Sequence, residues 1–418
     1  MKHTILIAAA SLLLPVSAVA APTPAAVMQH YADIAHATYS DALSTAKTLQ
    51  SAVDQLIATP SEATLATART AWVVARSPYQ QTEAFRFGNA IVDDWEGKVN
   101  AWPLDEGLID YVDPGYGSES DQNPYYAANV IANPTLTLSG RRIDASRIDK
   151  ALLGSTLHEV DEIESNVATG YHAIEFLLWG QDLNGTNAGA GARPASDFDP
   201  ANCTGGNCDR RAAYLVAATE LLVSDLEEAV ANWSADGQGR ADVTADPTQG
   251  LVMAFTGLGS LSYGEQAGER MKLGLLLHDP EEEHDCFSDN THNSHYYDGL
   301  GIRNVYTGRY VRVDGSVVEG PSLHDLVSER DPAVGAALLG DLNSTMMALG
   351  DLRTAAEAGT SYDQLLGIGA PGGALIQNAI DHLVAQTRNI ERAVELVGLD
   401  GVSVEGSDSL DDPNAVFQ

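Results

Sequence analysis

The sequence predicts an all-α protein of two packed helical bundles, a duplicated four-helix-bundle-like unit with long irregular connections. Several long segments carry apolar residues at spacings of three and four, the period of an amphipathic helix. Strand-like patches, such as residues 309–318, are few. Glycine, asparagine, aspartate and proline concentrate in the connections 112–124, 182–209, 234–247 and 279–321. Because each helix must bury its apolar stripe against another, packed bundles follow.

Two periodic segments begin the chain after residue 20. The first covers residues 28–56 and is expected to end at the Thr-Pro pair 59–60. Ser61 is positioned to cap a second helix, in which residues 65–76 are periodic and the Ser-Pro pair 77–78 is expected to interrupt the helix.

Two further amphipathic segments, residues 213–233 and 376–397, complete the pattern. The Gly- and Asp-rich stretch between the first of these and the second half of the chain indicates a boundary between the halves. We therefore predict an N-terminal bundle at residues 21–240 and a C-terminal bundle at residues 241–418. The similar lengths of the halves favour duplication.

Residues 1–20 have the pattern of a secretory signal peptide. Lys2 provides the charged start, residues 5–16 form the apolar segment, and Ala-Val-Ala at 18–20 is a small-residue cleavage site. We expect an exported protein, located in the periplasm or at the cell surface. No later run is long and apolar enough to span a membrane.

The composition is strongly acidic, with 58 Asp and Glu residues against 23 Lys and Arg residues and a formal net charge of -35. Such a charge disfavours nucleic acid and anionic membranes as partners, and it favours cations or basic partners.

Three cysteines are present. Cys203 and Cys208 flank a Gly-Gly turn, close enough to form a disulfide in an oxidising compartment. Cys286 is left over and is expected to be a buried thiol.

A histidine and a glutamate interrupt an apolar helix in the sequence GYHAIEFLLWG, residues 170–180. His172 and Glu175 are separated by three residues, so their side chains lie on one helical face and are able to converge on one cation. A carboxylate among apolar side chains is costly unless it is paired, hydrogen-bonded or neutralised. The alternative is structural, with Glu175 paired to an arginine and His172 bonded to a backbone carbonyl.

Two nearby segments add carboxylates in apolar surroundings. Glu83 is a candidate oxygen ligand and Arg86, three residues later, is a candidate to orient it. A structural ion pair between these two side chains is the alternative. Asp105 is a further candidate supporting residue.

The segment 278–298 contains seven Asp and Glu residues and four histidines but no Lys or Arg. Imidazole and carboxylate ligands suit iron, zinc or copper, although a solvated acidic loop has the same composition. The candidate ligands within it are Glu283, His284, Asp285 and His292. Upstream, Glu265 and Glu269 are predicted on one helix, either facing the same space or pairing with Arg270.

Sequence motifs that are specific for one kind of metal site do not occur. The zinc-protease pattern H-E-x-x-H is absent, and residues 182–187 and 285–290 lack the EF-hand arrangement of oxygen ligands.

The sequence resembles the imelysin-like proteins, within the iron-regulated protein A branch. The signature G-x-H-x-x-E matches GYHAIE, and RSPYQQTEAFRFG, HDPEEEHDCFSDNTH and GSDSLDDPNAVF match further blocks in order. The resemblance covers nearly the whole chain after residue 20. It implies two related helical bundles and a site between them that includes His172 and Glu175.

Two functions are implied by this resemblance. The first is an exported metal-binding protein acting in bacterial iron acquisition, which binds iron, or alternatively zinc, as a divalent or ferric ion. Its partner would be a membrane transport or outer-membrane component. The second is a metal-dependent peptidase, the activity for which the family was labelled. A metal-free interaction scaffold is a third reading, in which arginine and backbone groups satisfy the His-Glu pair.

Overall fold

The protein is described here by a computed structural model of residues 22–369 and 371–417. The predicted signal peptide lies outside the described residues. Within them the chain is helical, with short antiparallel hairpins as its sheets, so the all-α prediction is confirmed.

The α-helices are α1 (Pro24–Ala58), α2 (Glu62–Gln80), α3 (Ala90–Asn100), α4 (Glu106–Ile109), α5 (Lys150–Leu152), α6 (Gly170–Trp179), α7 (Cys208–Trp233), α8 (Gln238–Ala245), α9 (Pro247–Ser260), α10 (Leu273–Leu277), α11 (Thr291–Thr307), α12 (Leu323–Arg330), α13 (Pro332–Glu357), α14 (Tyr362–Leu366), α15 (Gly373–Val397) and α16 (Asp408–Asp411). Two segments are π-helical, Leu153–Leu157 and Leu261–Lys272. Short 3-10 turns lie at Glu83–Phe85, Pro114–Tyr116, Val160–Glu162, Ala195–Phe198, Pro280–Glu282 and Ala415–Phe417.

The strands form two small antiparallel hairpins. Strand β1 (Thr135–Leu138) pairs with β2 (Arg141–Asp144), with Leu136 opposite Ile143. Strand β3 (Arg309–Val311) pairs with β4 (Val317–Glu319), with Tyr310 opposite Val318. Both hairpins lie in connections between helices.

The first two helices begin at side-chain caps. Thr23 accepts a hydrogen bond from the backbone N–H of Ala26, and Pro24 occupies the first turn of α1, where its missing N–H costs nothing. Ser61 and Thr64 form a reciprocal capping box at the start of α2.

Helix α2 does not stop at the Ser-Pro pair 77–78, as the sequence suggested, but continues to Gln80. Pro78 lies inside the helix, where it lacks the N–H that would bond to the carbonyl of residue 74, so packing must offset the cost of the last turn. The extra turn matters for the site, because it places Arg76 and Gln80 four residues apart on one helical face.

Two groups of helices pack as bundles. Helices α1, α2, α6 and α7 surround a core that includes Leu49, Trp72, Ile174 and Leu222. The continuous segment 247–277 packs with α11, α13 and α15 in the second group.

The bundles meet where α11 packs on α2 and where α9 packs on α1. The larger hydrophobic core contains side chains from both sides of residue 240, among them Val27 and Phe255. The division at residues 240 and 241 therefore stays a prediction. Among the described residues, no helix combines the length and hydropathy needed to cross a bilayer.

Candidate metal centre

Three potential ligands from separate parts of the chain meet at the junction of the bundles. His172 lies in the first turn of α6, and His284 and Asp285 lie in the loop before α11. One ligand atom from each side chain lies within 4.8 Å of the others. The three side chains are at most 1% exposed. The helix and the loop therefore bring two imidazoles and a carboxylate together in a position that is almost inaccessible to solvent.

The start of α6 fixes the depth of His172. Gly170 has a φ of +80°, and a Cβ atom built there would lie 2.4 Å from the backbone oxygen of Val99. Glycine is therefore required both by the backbone conformation and by the close approach to α3. The indole N–H of Trp72 donates to the carbonyl oxygen of Tyr171 at 2.9 Å, which anchors the same turn to α2.

Glu175 is held by the site loop and by His172. Its Oε1 accepts hydrogen bonds from the backbone N–H and the hydroxyl of Ser288 at 2.9 and 2.7 Å. Its Oε2 lies 3.2 Å from His172 Nδ1. Burial, reinforced by the nearby charge of Asp285, raises the pKa of Glu175 well above its usual range. The contact with Glu175 thus fixes the orientation of the His172 ring, and the same nitrogen lies 4.0 Å from Asp285 Oδ1.

Arg76 from α2 supplies the positive charge of the cluster. Its guanidinium donates to Asp285 Oδ1 at 2.7 Å and to the side-chain oxygen of Asn100 at 2.6 Å. Burial opposes ionisation of Asp285, but the adjacent guanidinium outweighs burial and lowers the pKa of Asp285. Asp285 Oδ2 also accepts hydrogen bonds from Asn290 and Ser294. The carboxylate is therefore ionised and fixed in orientation.

Both imidazoles are neutral at ordinary pH. Burial, followed by repulsion from Arg76, lowers the pKa of His172 to about 3. Burial and the charge of Arg270 lower the pKa of His284 well below its usual range. Neutral imidazole is the form that binds metals. His172 Nε2 is buried and has no hydrogen-bond partner among the described residues.

The structural alternative, in which Glu175 pairs with an arginine and His172 bonds to a backbone carbonyl, does not match these contacts. Glu175 forms no salt bridge with a described arginine, and His172 bonds to Glu175 rather than to a backbone carbonyl. Arginine enters the cluster through Asp285 instead.

Glu83 lies in a different cluster. Its Oε2 accepts a hydrogen bond from Arg270 at 2.7 Å, and its Oε1 accepts one from the Tyr79 hydroxyl at 2.9 Å. Arg86 lies 4.0 Å from Glu83 and 3.6 Å from Glu96. These contacts are those of a buried ion-pair network, and they leave Glu83 with partners at both oxygens.

The π-helical segment explains why Glu265 and Glu269 behave differently. Glu265 lies 2.6 Å from Arg270, five residues later, whereas Glu269 is exposed. A π-helix makes contacts between residues i and i+5, while the sequence suggested α-helical spacing of four. Arg270 also donates to Asp298 at 3.1 Å, a carboxylate that the sequence did not single out.

The remaining candidates lie outside the three-ligand group. Glu283 is buried beside the group but faces other acidic side chains, and His292 contacts the side-chain amide of Asn293 at 3.0 Å. Asp105 accepts hydrogen bonds from Asn123 at 2.5 Å and from Ser165 at 2.7 Å.

The connection 182–209 contains the expected covalent cross-link. A disulfide joins Cys203 and Cys208, and Cys286 is a free thiol.

Sequence reasoning missed the polar side chains that support the ligands. The sequence indicates no carboxylate partner for Arg76, and it does not single out Gln80, whose amide nitrogen lies 3.3 Å from His284 Nδ1. The same is true of Asn100, Ser288 and Ser294. The available signal was Arg76 itself, because a fully buried arginine requires a carboxylate partner.

Taken together, the fold and the cluster define an all-α protein of two bundles with a buried His/carboxylate site at their junction. The imelysin family model, named peptidase M75, matches residues 35–390. The chain therefore belongs to the imelysin family.

A curated relative and two solved structures are similar to this chain. The iron-regulated protein A of Synechococcus elongatus (strain ATCC 33912 / PCC 7942 / FACHB-805) is 38% identical over 72 residues, which are 17% of this chain and 20% of that protein. The match thus spans about a fifth of the relative's length.

The crystal structure of a protein assigned as an iron-regulated protein A precursor from Parabacteroides distasonis ATCC 8503 has a TM-score of 0.64 at 19% identity, over 92% of this chain and 98% of that chain. An imelysin-like protein from Psychrobacter arcticum 273-4 has a TM-score of 0.59 at 19% identity, over 91% and 99% of the two chains. At these identities the likeness concerns the fold alone.

Proposed function

We propose that this protein binds a transition-metal ion, iron in the first place, as cargo at His172, His284 and Asp285, and that it serves bacterial iron acquisition as an exported protein. The observation that carries the proposal is the convergence of these three ligands within 4.8 Å in a buried position. Mixed nitrogen and oxygen ligands suit iron and zinc. The name of the relative in Synechococcus elongatus supports iron over zinc.

The state of the side chains favours cation binding. His172 and His284 need not lose a proton before they bind, and Asp285 is already ionised beside Arg76. The ring nitrogen of His172 nearest to Asp285 is Nδ1, at 4.0 Å from Oδ1, so a cation held by these two side chains would lie at that nitrogen, beside Glu175.

Arg76 has two opposed effects on a bound cation. It keeps Asp285 ionised and fixed, which helps binding, but it also places a positive charge next to the incoming metal. The balance favours moderate affinity, which suits a protein that must pass its metal on.

Burial supports binding rather than peptide hydrolysis. A peptidase needs an open coordination position that a substrate reaches from a groove. The three ligands are at most 1% exposed, and the cavity lined by Tyr111, Trp179 and Arg193 does not include them.

The test is calorimetric titration of metal-stripped protein with Fe²⁺ under anaerobic conditions and, separately, with Zn²⁺. His172→Ala and His284→Ala should each abolish metal binding while the helical circular dichroism is retained. His382→Ala, at a half-buried histidine of α15, is the matched control and should bind like the wild type. Wild-type protein that takes up neither metal, or His172→Ala and His284→Ala variants that bind like the wild type, would refute the proposal.

A further inference from the structure

A second group of carboxylates lies on the other side of the loop that carries His284 and Asp285. Asp182 follows α6, Asp289 belongs to the loop itself, and Asp363 lies in the first turn of α14. One oxygen from each of these side chains lies within 4.8 Å of the others. The segments are far apart in sequence, so the group is assembled by the fold.

Two buried carboxylates in this region lack hydrogen bonds of normal geometry. Asp363 and Glu283 are each 1% exposed, and none of their four carboxylate oxygens makes a hydrogen bond of normal distance and angle with a described residue. Both side chains line a small enclosed cavity of about 10 Å³, together with Asp182. That volume is about what one water molecule or one ion occupies.

No positive side chain compensates these groups. None of Asp182, Glu283, Asp289 and Asp363 forms a salt bridge with a described residue. Burial and repulsion from Asp363 and Asp182 raise the pKa of Asp289 to about 7. Unpaired buried carboxylates are costly, and a bound cation is the usual compensation.

We infer that Asp182, Asp289, Asp363 and Glu283 form a binding site for a hard divalent cation, and specifically for Ca²⁺. Cys286 also lines the cavity, but the converging acidic side chains offer oxygen ligands only. Oxygen ligands select Ca²⁺, Mg²⁺ or Mn²⁺ over iron and zinc. Ca²⁺ is favoured because it accepts several carboxylates in a protein cage, whereas Mg²⁺ usually retains water and binds one or two.

The site would join three segments that are far apart in the sequence. Asp182 extends from the helix of His172, Glu283 and Asp289 flank the ligands His284 and Asp285, and Asp363 belongs to the second bundle. Ca²⁺ therefore stabilises the loop of the metal centre from its far side. This inference does not depend on whether the metal centre binds iron.

The first experiment is calorimetric titration of chelator-treated protein with CaCl₂ and, separately, with MgCl₂, up to about 1 mM, the weak end of protein calcium sites. Wild type should bind Ca²⁺ more tightly than Mg²⁺. Asp363→Asn and Asp182→Asn should each weaken Ca²⁺ binding by about tenfold or more, because each removes a charged ligand. The matched control is Asp54→Asn, which removes the same charge at an exposed position of α1.

Thermal unfolding provides a second readout, because Ca²⁺ should change whether wild type or Asp363→Asn unfolds at the higher temperature. Without Ca²⁺, Asp363→Asn should unfold at the same temperature as wild type or higher, since it removes an unpaired buried carboxylate. With Ca²⁺, wild type should gain thermal stability and the variant should not. If Asp363→Asn does not fold, Asp182→Asn gives the same comparison at a half-buried position.

Three results would overturn the inference. The first is that wild type does not bind Ca²⁺, and the second is that Asp363→Asn and Asp182→Asn bind Ca²⁺ as tightly as Asp54→Asn. The third is that wild type binds Mg²⁺ as tightly as Ca²⁺. Loss of Ca²⁺ binding in His172→Ala would also contradict it, because it would assign the bound Ca²⁺ to the metal centre. Retained binding in that variant keeps the two sites distinct.

Discussion

Gly170→Ala is the substitution whose cost follows most directly from the structure. A φ of +80° costs an alanine about 1–2 kcal/mol, since Cβ crowds the following carbonyl group. The added Cβ would also lie 2.4 Å from the Val99 oxygen and 2.6 Å from its carbonyl carbon, so the backbone of α3 or α6 must shift. Overpacking of this kind costs about 1–3 kcal/mol, which gives about 2–5 kcal/mol in total.

Two other glycines separate these contributions. Gly401 has a φ of +92° with nothing within 4 Å of the position of Cβ, so Gly401→Ala should show only the conformational cost. Gly340 in α13 also has open space, so Gly340→Ala should be neutral or stabilise by up to about 1 kcal/mol. The measurement is the free energy of unfolding from urea denaturation followed by circular dichroism.

The result also concerns the metal centre, because His172 lies two residues after Gly170. A shift of the first turn of α6 moves the imidazole relative to His284 and Asp285, so metal affinity should fall with stability. If Gly170→Ala loses no more stability than Gly401→Ala, the close contact with Val99 is not a constraint. If it loses none, the argument from backbone conformation fails as well.

Other substitutions test the buried charges and the cross-link. Asp285→Asn leaves Arg76 without its carboxylate and should cost about 3–5 kcal/mol in urea denaturation, whereas a cost below 1 kcal/mol would show that the pair is not buried as described. Replacing Cys203 and Cys208 by alanine should cost about 2 kcal/mol, because the disulfide closes a short loop, and an unchanged denaturation midpoint contradicts this. Burial raises the pKa of Glu96 from 4.5 to about 7, so its contribution is complete below pH 4.5 and is lost as the pH rises through 7. Between pH 5 and pH 8, wild type should therefore lose about 2–3 kcal/mol more than Glu96→Gln, and parallel pH profiles would refute the assignment.

The sequence predicts the helices well because their signals are local. Apolar spacing, the cap at Ser61 and the Thr-Pro pair after α1 act within a few residues of the position that they determine. The same is true of His172 and Glu175, which stand out because their neighbours in α6 are apolar. The π-helical segment was not predictable from spacing, since its contacts depend on Arg270 meeting Glu83 and Asp298 from distant elements.

The partners of the site residues are set by tertiary structure. Arg76 and Asp285 are separated by 209 positions, and no local pattern indicates that they meet. The loop 278–298 has the composition of a solvated acidic surface, and only packing shows that Glu283, His284 and Asp285 are at most 1% exposed. Asp182 and Asp363 carry no motif at all, because each belongs to a different connection or helix start.

The absence of Lys and Arg from residues 278–298 follows from the use of both faces of this segment. Glu283 lines the cavity with Asp182 and Asp363, whereas His284 and Asp285, which follow it in a turn, both contact Arg76 at the junction of the bundles. Arg76 compensates Asp285 and Arg270 compensates Asp298, both from other helices.

A basic residue within the segment would occupy one of the two sites and neutralise its carboxylates permanently. Arginines from other helices neutralise only the carboxylates that face the bundle junction. The carboxylates on the other face must be neutralised by protonation or by a bound cation. Protonation of a buried carboxyl becomes less favourable as the pH rises, so the demand for a cation is greatest at neutral and alkaline pH. The two proposed cation sites, which differ in ligand chemistry and share one stretch of backbone, would therefore explain the charge pattern of this loop.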